Sequence, residues 1–275
     1  MQVVPLSPAL GAEIRGIDAS QPLSHSVFAA VEKAWHENLV IVLRGQDLDE
    51  AAQVRFAAQF GELSPIHTSR HSETNNPAVM YVGNRKKEGK HIGALPVGEM
   101  QFHSDQCYQQ RPAMGTMLYS IEIPAQGGNT LFASGYKAYE ALSPQIKEQI
   151  SGRKAMQVYT YDGGLLDRNG MVAPERGVSY AHPLVRTHPA TGRKSLYVNR
   201  LMTHHIEGLP VDESRDLLQI LFQTLERPEF IYEHRWRVGD VLLWDNRCTT
   251  HARRDFDPNE QRWMRRVTIK GDIPS

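Results

Sequence analysis

His103 and Asp105 stand two residues apart in Gln101-Phe102-His103-Ser104-Asp105. A third residue of matching chemistry, His251, lies far down the chain in Trp244-Asp245-Asn246-Arg247-Cys248-Thr249-Thr250-His251. Side chains at i and i+2 of an extended segment project to one side, so His103 and Asp105 can share an ion only if their segment is a strand. Phe102 and Ser104 then point the other way. All three residues can act together only if distant parts of the polypeptide converge. Two imidazoles and one carboxylate can occupy one face of an Fe(II) ion and leave the opposite positions open for an oxidisable acid and dioxygen. His-x-Asp occurs widely by chance. Here it gains weight from Arg262 and Arg266, which follow His251 in an alternating C-terminal segment. A metal-bound dicarboxylate needs a fixed cation for its far end, and a guanidinium offers it two parallel charge-assisted hydrogen bonds.

The rest of the chain is read as a mainly β protein with helices. Val27, Phe28, Val31, Ala34 and Trp35 recur at helical spacing, and Leu39 to Leu43 is an apolar run closed by Gly45, so a helix followed by a buried strand is expected. Asp49 can cap a second helix running to Phe60, with Gly61 as its stop. Ser134 and Ser143-Pro144 have the form of helix starts. A helix from Asp212 to Leu225 carries Leu217, Leu218, Leu221, Phe222 and Leu225 on one face. Met117–Ile123 and Thr130–Phe132 read as two strands meeting across a turn at Gly127-Gly128, and further strands are expected at 178–185, 195–198, 230–232, 241–244 and 266–270. The polar stretch between Gly83 and Gly98 reads as a loop before the metal strand, and 162–177 as an irregular insertion; both are candidates for lids.

At 275 residues one domain spanning the whole chain, 1–275, is expected. Lys+Arg and Asp+Glu are both 31, so nothing in the overall charge favours nucleic acid or an anionic membrane surface. No apolar stretch approaches a membrane span, and Met1-Gln2-Val3-Val4-Pro5 lacks the pattern of a secretory signal, so a cytoplasmic location is expected. A homo-oligomer, dimer or tetramer, is also expected. Cys107 and Cys248 are too few for a disulfide framework and are read as small buried hydrophobes.

Taken together, Gly11-Ala12-Glu13-Ile14, Leu43-Arg44-Gly45-Gln46, Phe60-Gly61-Glu62-Leu63, His103-Ser104-Asp105, Gly127-Gly128-Asn129-Thr130-Leu131, His188-Pro189 with Gly192-Arg193-Lys194, Glu207-Gly208-Leu209-Pro210, Trp244-Asp245-Asn246-Arg247 and the run from His251 to Asp272 resemble the taurine dioxygenase/2,4-dichlorophenoxyacetate dioxygenase family. The resemblance covers nearly the whole chain. It implies a double-stranded β-helix, a cupin-like jelly roll with flanking helices, whose open mouth holds the site. It also implies Fe(II) on His103, Asp105 and His251, with 2-oxoglutarate as cosubstrate and dioxygen as oxidant. The distal carboxylate of the keto acid would meet Arg262 and Thr130, and an anionic group of the prime substrate would meet Arg266. By strand alternation Arg262 and Arg266 should share a face and Arg265 should point away.

His71 falls near a substrate-contacting histidine of the taurine-type enzymes. Glu99 stands where those enzymes have an asparagine, four residues before the first iron histidine, so a sulfonate would meet a carboxylate there. That departure counts against taurine. The segments 188–210 and 251–266 are closer to the phenoxyacetate type, so a carboxylate with an aryl or alkyl ether is the preferred substrate class, hydroxylated beside the heteroatom and fragmenting. Two rivals use the same residues. A zinc-type hydrolase would have no use for an Arg-Thr clamp, and no H-E-x-x-H is present. A non-catalytic cupin-like binding protein would not need all three ligands.

Overall fold

A computed structural model describes residues 1–65, 74–94, 98–159 and 177–275. Among these, the framework is two antiparallel-rich sheets packed face to face. The larger has the order β1 (Gln2–Pro5), β2 (Ala12–Arg15), β3 (Val40–Leu43), β16 (Val241–Asp245), β8 (Ala113–Glu122), β18 (Trp263–Lys270) and β4 (Val79–Gly83). The smaller has the order β15 (Ile231–His234), β9 (Thr130–Ser134), β17 (Thr249–Arg253) and β7 (Met100–His103). β11 (Val178–Pro183), β10 (Lys154–Tyr159) and β14 (Thr203–Ile206) form a side sheet. Two ribbons join β12 (Val185–Thr187) to β13 (Lys194–Leu196) and β5 (Lys86–Lys87) to β6 (Lys90–His91). This is the double-stranded β-helix that the sequence motifs implied.

Alternation along each strand divides the core into layers. Leu118, Phe132, Leu242, Trp244 and Met264 fill the space between the two sheets. The opposite face of the larger sheet, with Met117, Leu243, Val267 and Ile269, is covered by α1 (His25–Asn38) through Trp35, by α2 (Glu50–Ala58) through Phe56, and by Phe60 just beyond α2. The outer face of the smaller sheet, with Phe102 and Ala133, is covered through Leu217, Leu218, Leu221 and Phe222 of α5 (Val211–Leu225). The helix starts follow the capping logic. Asp49 accepts from the Ala52 amide at the start of α2. Ser134 accepts from Lys137 at α3 (Gly135–Ala141), and Ser143 from Ile146 at α4 (Pro144–Ile150), where proline fills the first turn.

Two expectations are corrected. β8 and β9 do not pair: β8 belongs to the larger sheet and β9 to the smaller, so 123–129 crosses between layers. Pro124 has no amide to donate to a ladder, and Gly127 bridges to Phe256 with φ 79°. The 83–98 stretch is not simply a loop either, because 86–91 forms the β5–β6 ribbon. Its turn places Glu88 and Gly89 at φ 51° and 77°, the conformation of a tight hairpin, and Arg85 lies over the Trp263 ring while pairing with Glu122 at 2.8 Å. Residues 95–97 and most of the 162–177 insertion lie outside the described residues.

Candidate metal and keto-acid site

β7 and β17 are neighbours in the smaller sheet, and His103 is the direct cross-strand partner of His251. His103 and His251 face the interior, while Phe102 packs outward. β7 ends at His103, and Gln106 with φ 56° turns the chain just after Asp105, which swings that carboxylate back towards the two imidazoles. His103 Nε2 and His251 Nε2 each lie 3.9 Å from an oxygen of Asp105, and the two ring centroids are 4.1 Å apart. One donor atom from each residue lies within 4.8 Å of the others. Two donors each about 2.1 Å from one ion can be no more than about 4.2 Å apart, and both His–Asp separations fall inside that limit.

The protonation states also suit an ion. His103 Nδ1 is 2.9 Å from the Gln101 carbonyl, which can only accept, so Nδ1 carries the hydrogen and the Nε2 lone pair faces Asp105. Burial holds both imidazoles below their ordinary range, most strongly His251, which also feels His103; both rings are therefore neutral and available as donors. Burial alone would raise the Asp105 carboxyl. The Arg266 guanidinium, first, and the Thr116 hydroxyl outweigh it and keep Asp105 ionised far below the usual carboxylate range.

The support for Asp105 is dense, and much of it was not foreseen from the sequence. Asn246 Oδ1 accepts from the Asp105 amide at 3.2 Å and from Trp244 Nε1 at 3.0 Å. Asn246 Nδ2 donates to Thr116 Oγ1 at 3.0 Å, and Thr116 passes its own hydrogen to Asp105 Oδ2 at 2.7 Å. Arg266 Nη2 lies 2.9 Å from Asp105 Oδ1 and its Nε 3.2 Å from Thr268 Oγ1. The motif Trp244-Asp245-Asn246-Arg247 was a usable signal for Asn246. Thr116, inside an apolar strand, carried none.

Along β18 the alternation holds. Met264 packs between the sheets, Arg266 reaches Asp105, and Arg265 turns the other way to Gln53 at 2.7 Å and the Leu48 carbonyl at 2.6 Å. Arg262, just before the strand, is 2 % exposed, with its amide on Asn84 Oδ1 at 2.9 Å and Nε on the Gly128 carbonyl at 3.3 Å. Among the described residues no carboxylate pairs with it. Burial, reinforced by Arg253, pushes its guanidinium down to about 9, so it is a cation short of an anion. Thr130, two residues beyond Gly128, is buried and its Oγ1 accepts from Trp236 Nε1 at 3.0 Å.

The remaining sequence candidates fall elsewhere. Glu99 is exposed, pairs with Arg254 at 3.6 Å and lines a shallow cavity of about 200 Å³ with Met100, Phe102, Leu131 and Ala252. Those four residues belong to the outer face of the smaller sheet, so, against the expected substrate contact, Glu99 is not gathered with Arg266. His71 lies outside the described residues. A second cluster, His188, Asp245 and Cys248, also brings donor atoms together. It has no lone pairs to spare: His188 Nδ1 accepts from the Ala190 and Thr191 amides, its Nε2 faces Asp245, and Arg247 occupies both oxygens of that carboxylate. Burial raises the Cys248 thiol well above its ordinary range. The cluster is a brace for the turn carrying Asn246.

A double-stranded β-helix with two histidines and a carboxylate gathered inside it, and a buried arginine that no described carboxylate pairs with, defines a mononuclear-metal oxygenase scaffold. Residues 2–268 match the model of the taurine catabolism dioxygenase TauD, TfdA family, and the chain belongs to that family. It is 33% identical to the alpha-ketoglutarate-dependent 2,4-dichlorophenoxyacetate dioxygenase of Cupriavidus pinatubonensis, over 98% of this chain and 97% of that one. It is 30% identical to the pentalenolactone F synthase of Streptomyces arenae, over 100% and 97%. Among solved structures, AAD-2 in complex with Mn(II) and N-oxalylglycine superposes with a TM-score of 0.85 at 30% identity, covering 99% of both chains.

Proposed function

We propose that this protein is an Fe(II)- and 2-oxoglutarate-dependent dioxygenase whose metal is held by His103, Asp105 and His251. The observation that carries the assignment of ligands is the convergence of two neutral imidazoles and one ionised carboxylate within 4.8 Å on the inner face of the smaller sheet. The iron, when bound with dioxygen, supplies the oxidising chemistry that converts the keto acid to succinate and carbon dioxide and hydroxylates the prime substrate. The chain's own residues orient and exclude water. Arg262 and Thr130 hold the distal carboxylate, and the unpaired charge of Arg262 supports that role. N-oxalylglycine, held by a structural neighbour, has the same two carboxylate ends as 2-oxoglutarate.

Arg266 already spends Nη2 on Asp105 and Nε on Thr268, which leaves guanidinium hydrogens for an anionic substrate beside the metal. The substrate class is a small organic acid, an aryloxyalkanoate before a sulfonate, attacked at the carbon next to the ether oxygen. The relative acting on 2,4-dichlorophenoxyacetate supports that order. A dimer or tetramer in the cytoplasm completes the reading. Among the described residues no helix is long and apolar enough to cross a membrane, and light scattering of the purified protein checks the assembly.

The test is succinate release with Fe(II) and 2-oxoglutarate across aryloxyalkanoates, alkyl ether acids and sulfonates. Stimulation by an aryloxyalkanoate, lost in His103→Ala and Asp105→Ala proteins that remain folded, is the expected result. Turnover surviving either substitution would overturn the ligand assignment.

A further inference from the structure

Two buried threonine hydroxyls on the inner faces of the two sheets are wired alike, and only one has a visible recipient among the described residues. At Asp105, an amide hydrogen of Asn246 Nδ2 is donated into Thr116 Oγ1, so the Thr116 hydrogen goes on to the carboxylate at 2.7 Å. On β9 of the smaller sheet, Trp236 Nε1 donates into Thr130 Oγ1 at 3.0 Å. An indole nitrogen can only donate, so it occupies an acceptor position of the hydroxyl and leaves the Thr130 hydrogen to be given elsewhere. Among the described residues Thr130 gives it to none. Arg262, the cation without a carboxylate, reaches the carbonyl of Gly128, two residues before Thr130.

We propose that Trp236 is a positioning residue for 2-oxoglutarate: it fixes the polarity of the Thr130 hydroxyl, so that Thr130 arrives as a donor aimed, with Arg262, at the distal carboxylate. This rests on the placement of the keto acid given above. Trp236 is itself clamped. Its ring meets His234 edge-on, with centroids 4.5 Å apart. Asp240 Oδ2 faces His234 Nε2 at 3.1 Å, accepts from the Arg237 amide at 2.9 Å and pairs with Arg44. Because a carboxylate only accepts, His234 Nε2 carries the hydrogen, and its Nδ1 takes the Tyr232 hydroxyl at 2.9 Å. Asp240 thus secures both the ring that packs on the indole and the backbone beside it.

The test measures binding of 2-oxoglutarate to the Mn(II)-loaded protein by calorimetry in wild type, Trp236→Phe, Thr130→Val and the double variant, with 2-oxobutyrate, which lacks the distal carboxylate, as second ligand. Phenylalanine keeps an aromatic ring and removes the five-membered ring that carries the N–H donor. The expected result is a roughly three- to tenfold weaker affinity for 2-oxoglutarate in Trp236→Phe, the size of one hydrogen bond. No further loss is expected when the change is added to Thr130→Val, and 2-oxobutyrate binding should be unaltered. An unchanged 2-oxoglutarate affinity, an additive double variant or an equal loss for 2-oxobutyrate would each overturn the proposal. If Thr130→Val and Arg262→Gln also leave 2-oxoglutarate binding intact, the keto-acid placement falls with it; if they weaken binding while Trp236→Phe does not, only the role of Trp236 falls.

Discussion

Arg266 serves two masters at the residue scale. From the sequence it was a substrate contact, whereas in the folded chain it lies 2.9 Å from the metal-side carboxylate. Removing it leaves a buried, fully ionised Asp105 less compensated, so protons and misplaced waters compete better with the metal. Arg266→Gln should therefore weaken Mn(II) binding roughly ten- to hundredfold, as outer contacts to metal ligands commonly do, as well as raise the KM for the prime substrate. Calorimetry on the keto-acid-free protein separates the two effects, and an unchanged metal affinity would show that the ion pair is incidental. The two imidazoles give a pH prediction. Burial holds His103 and His251 below their ordinary 6.5, so below about that pH the unfolded chain takes up protons that the folded chain refuses. The metal-free protein should be fully stable above pH 6.5 and lose melting temperature as the pH falls below it. His103→Asn with His251→Asn should flatten that slope.

Strands at the element scale explain what could and could not be read in advance. Strand periodicity made the shared side of His103 and Asp105 and the common face of Arg262 and Arg266 legible, and β18 keeps that parity; Thr130 was named only through the family resemblance. The β8–β9 hairpin was misread because a Gly-Gly turn between two apolar runs fits either a tight hairpin or a crossover, and only the pairing of β9 with β15 and β17 decides. Asn84 and Gly83 were invisible for a related reason: their partners are about 180 residues away in the chain, at Arg262. Asn84 accepts from the Arg262 amide and donates to the carbonyls of Pro258 and Glu260, holding the loop that ends in Arg262. A Cβ on Gly83 would sit 1.8 Å from the Arg262 carbonyl oxygen, a contact that only backbone movement can relieve. Gly83→Ala should destabilise the protein by at least about 3 kcal/mol, and any folded fraction should need more 2-oxoglutarate. Urea unfolding with a normal midpoint would contradict that contact.

Whole-molecule organisation depends on ties between the sheets and the chain's far end. Arg186 in β12 is completely buried, with Nε and Nη1 lacking partners among the described residues, and its ion pair is with Asp272 at 2.6 Å. Its neighbour Thr187 donates its amide to the Ser275 carbonyl at 2.7 Å. The C-terminal segment thereby fastens the β12–β13 ribbon to the end of β18. Breaking the pair leaves a buried guanidinium uncompensated, although Asp272 is itself 42% exposed and water can partly replace it. Asp272→Ala should cost about 1–3 kcal/mol, read as a lower urea midpoint with unchanged affinity for Mn(II). A loss of metal affinity in that variant would mean that the tail reaches the site by a route other than stability.

His103 and Asp105 leave the ribosome long before His251 is made, and β7, which ends at His103, lies beside β17 in the finished sheet. With the ligand set proposed above, a nascent chain has no complete seat for iron until β17 has emerged and found β7, so loading would belong to the last stage of biogenesis. Growth under iron starvation should accordingly yield intact, fillable apoprotein rather than truncated or misfolded chains.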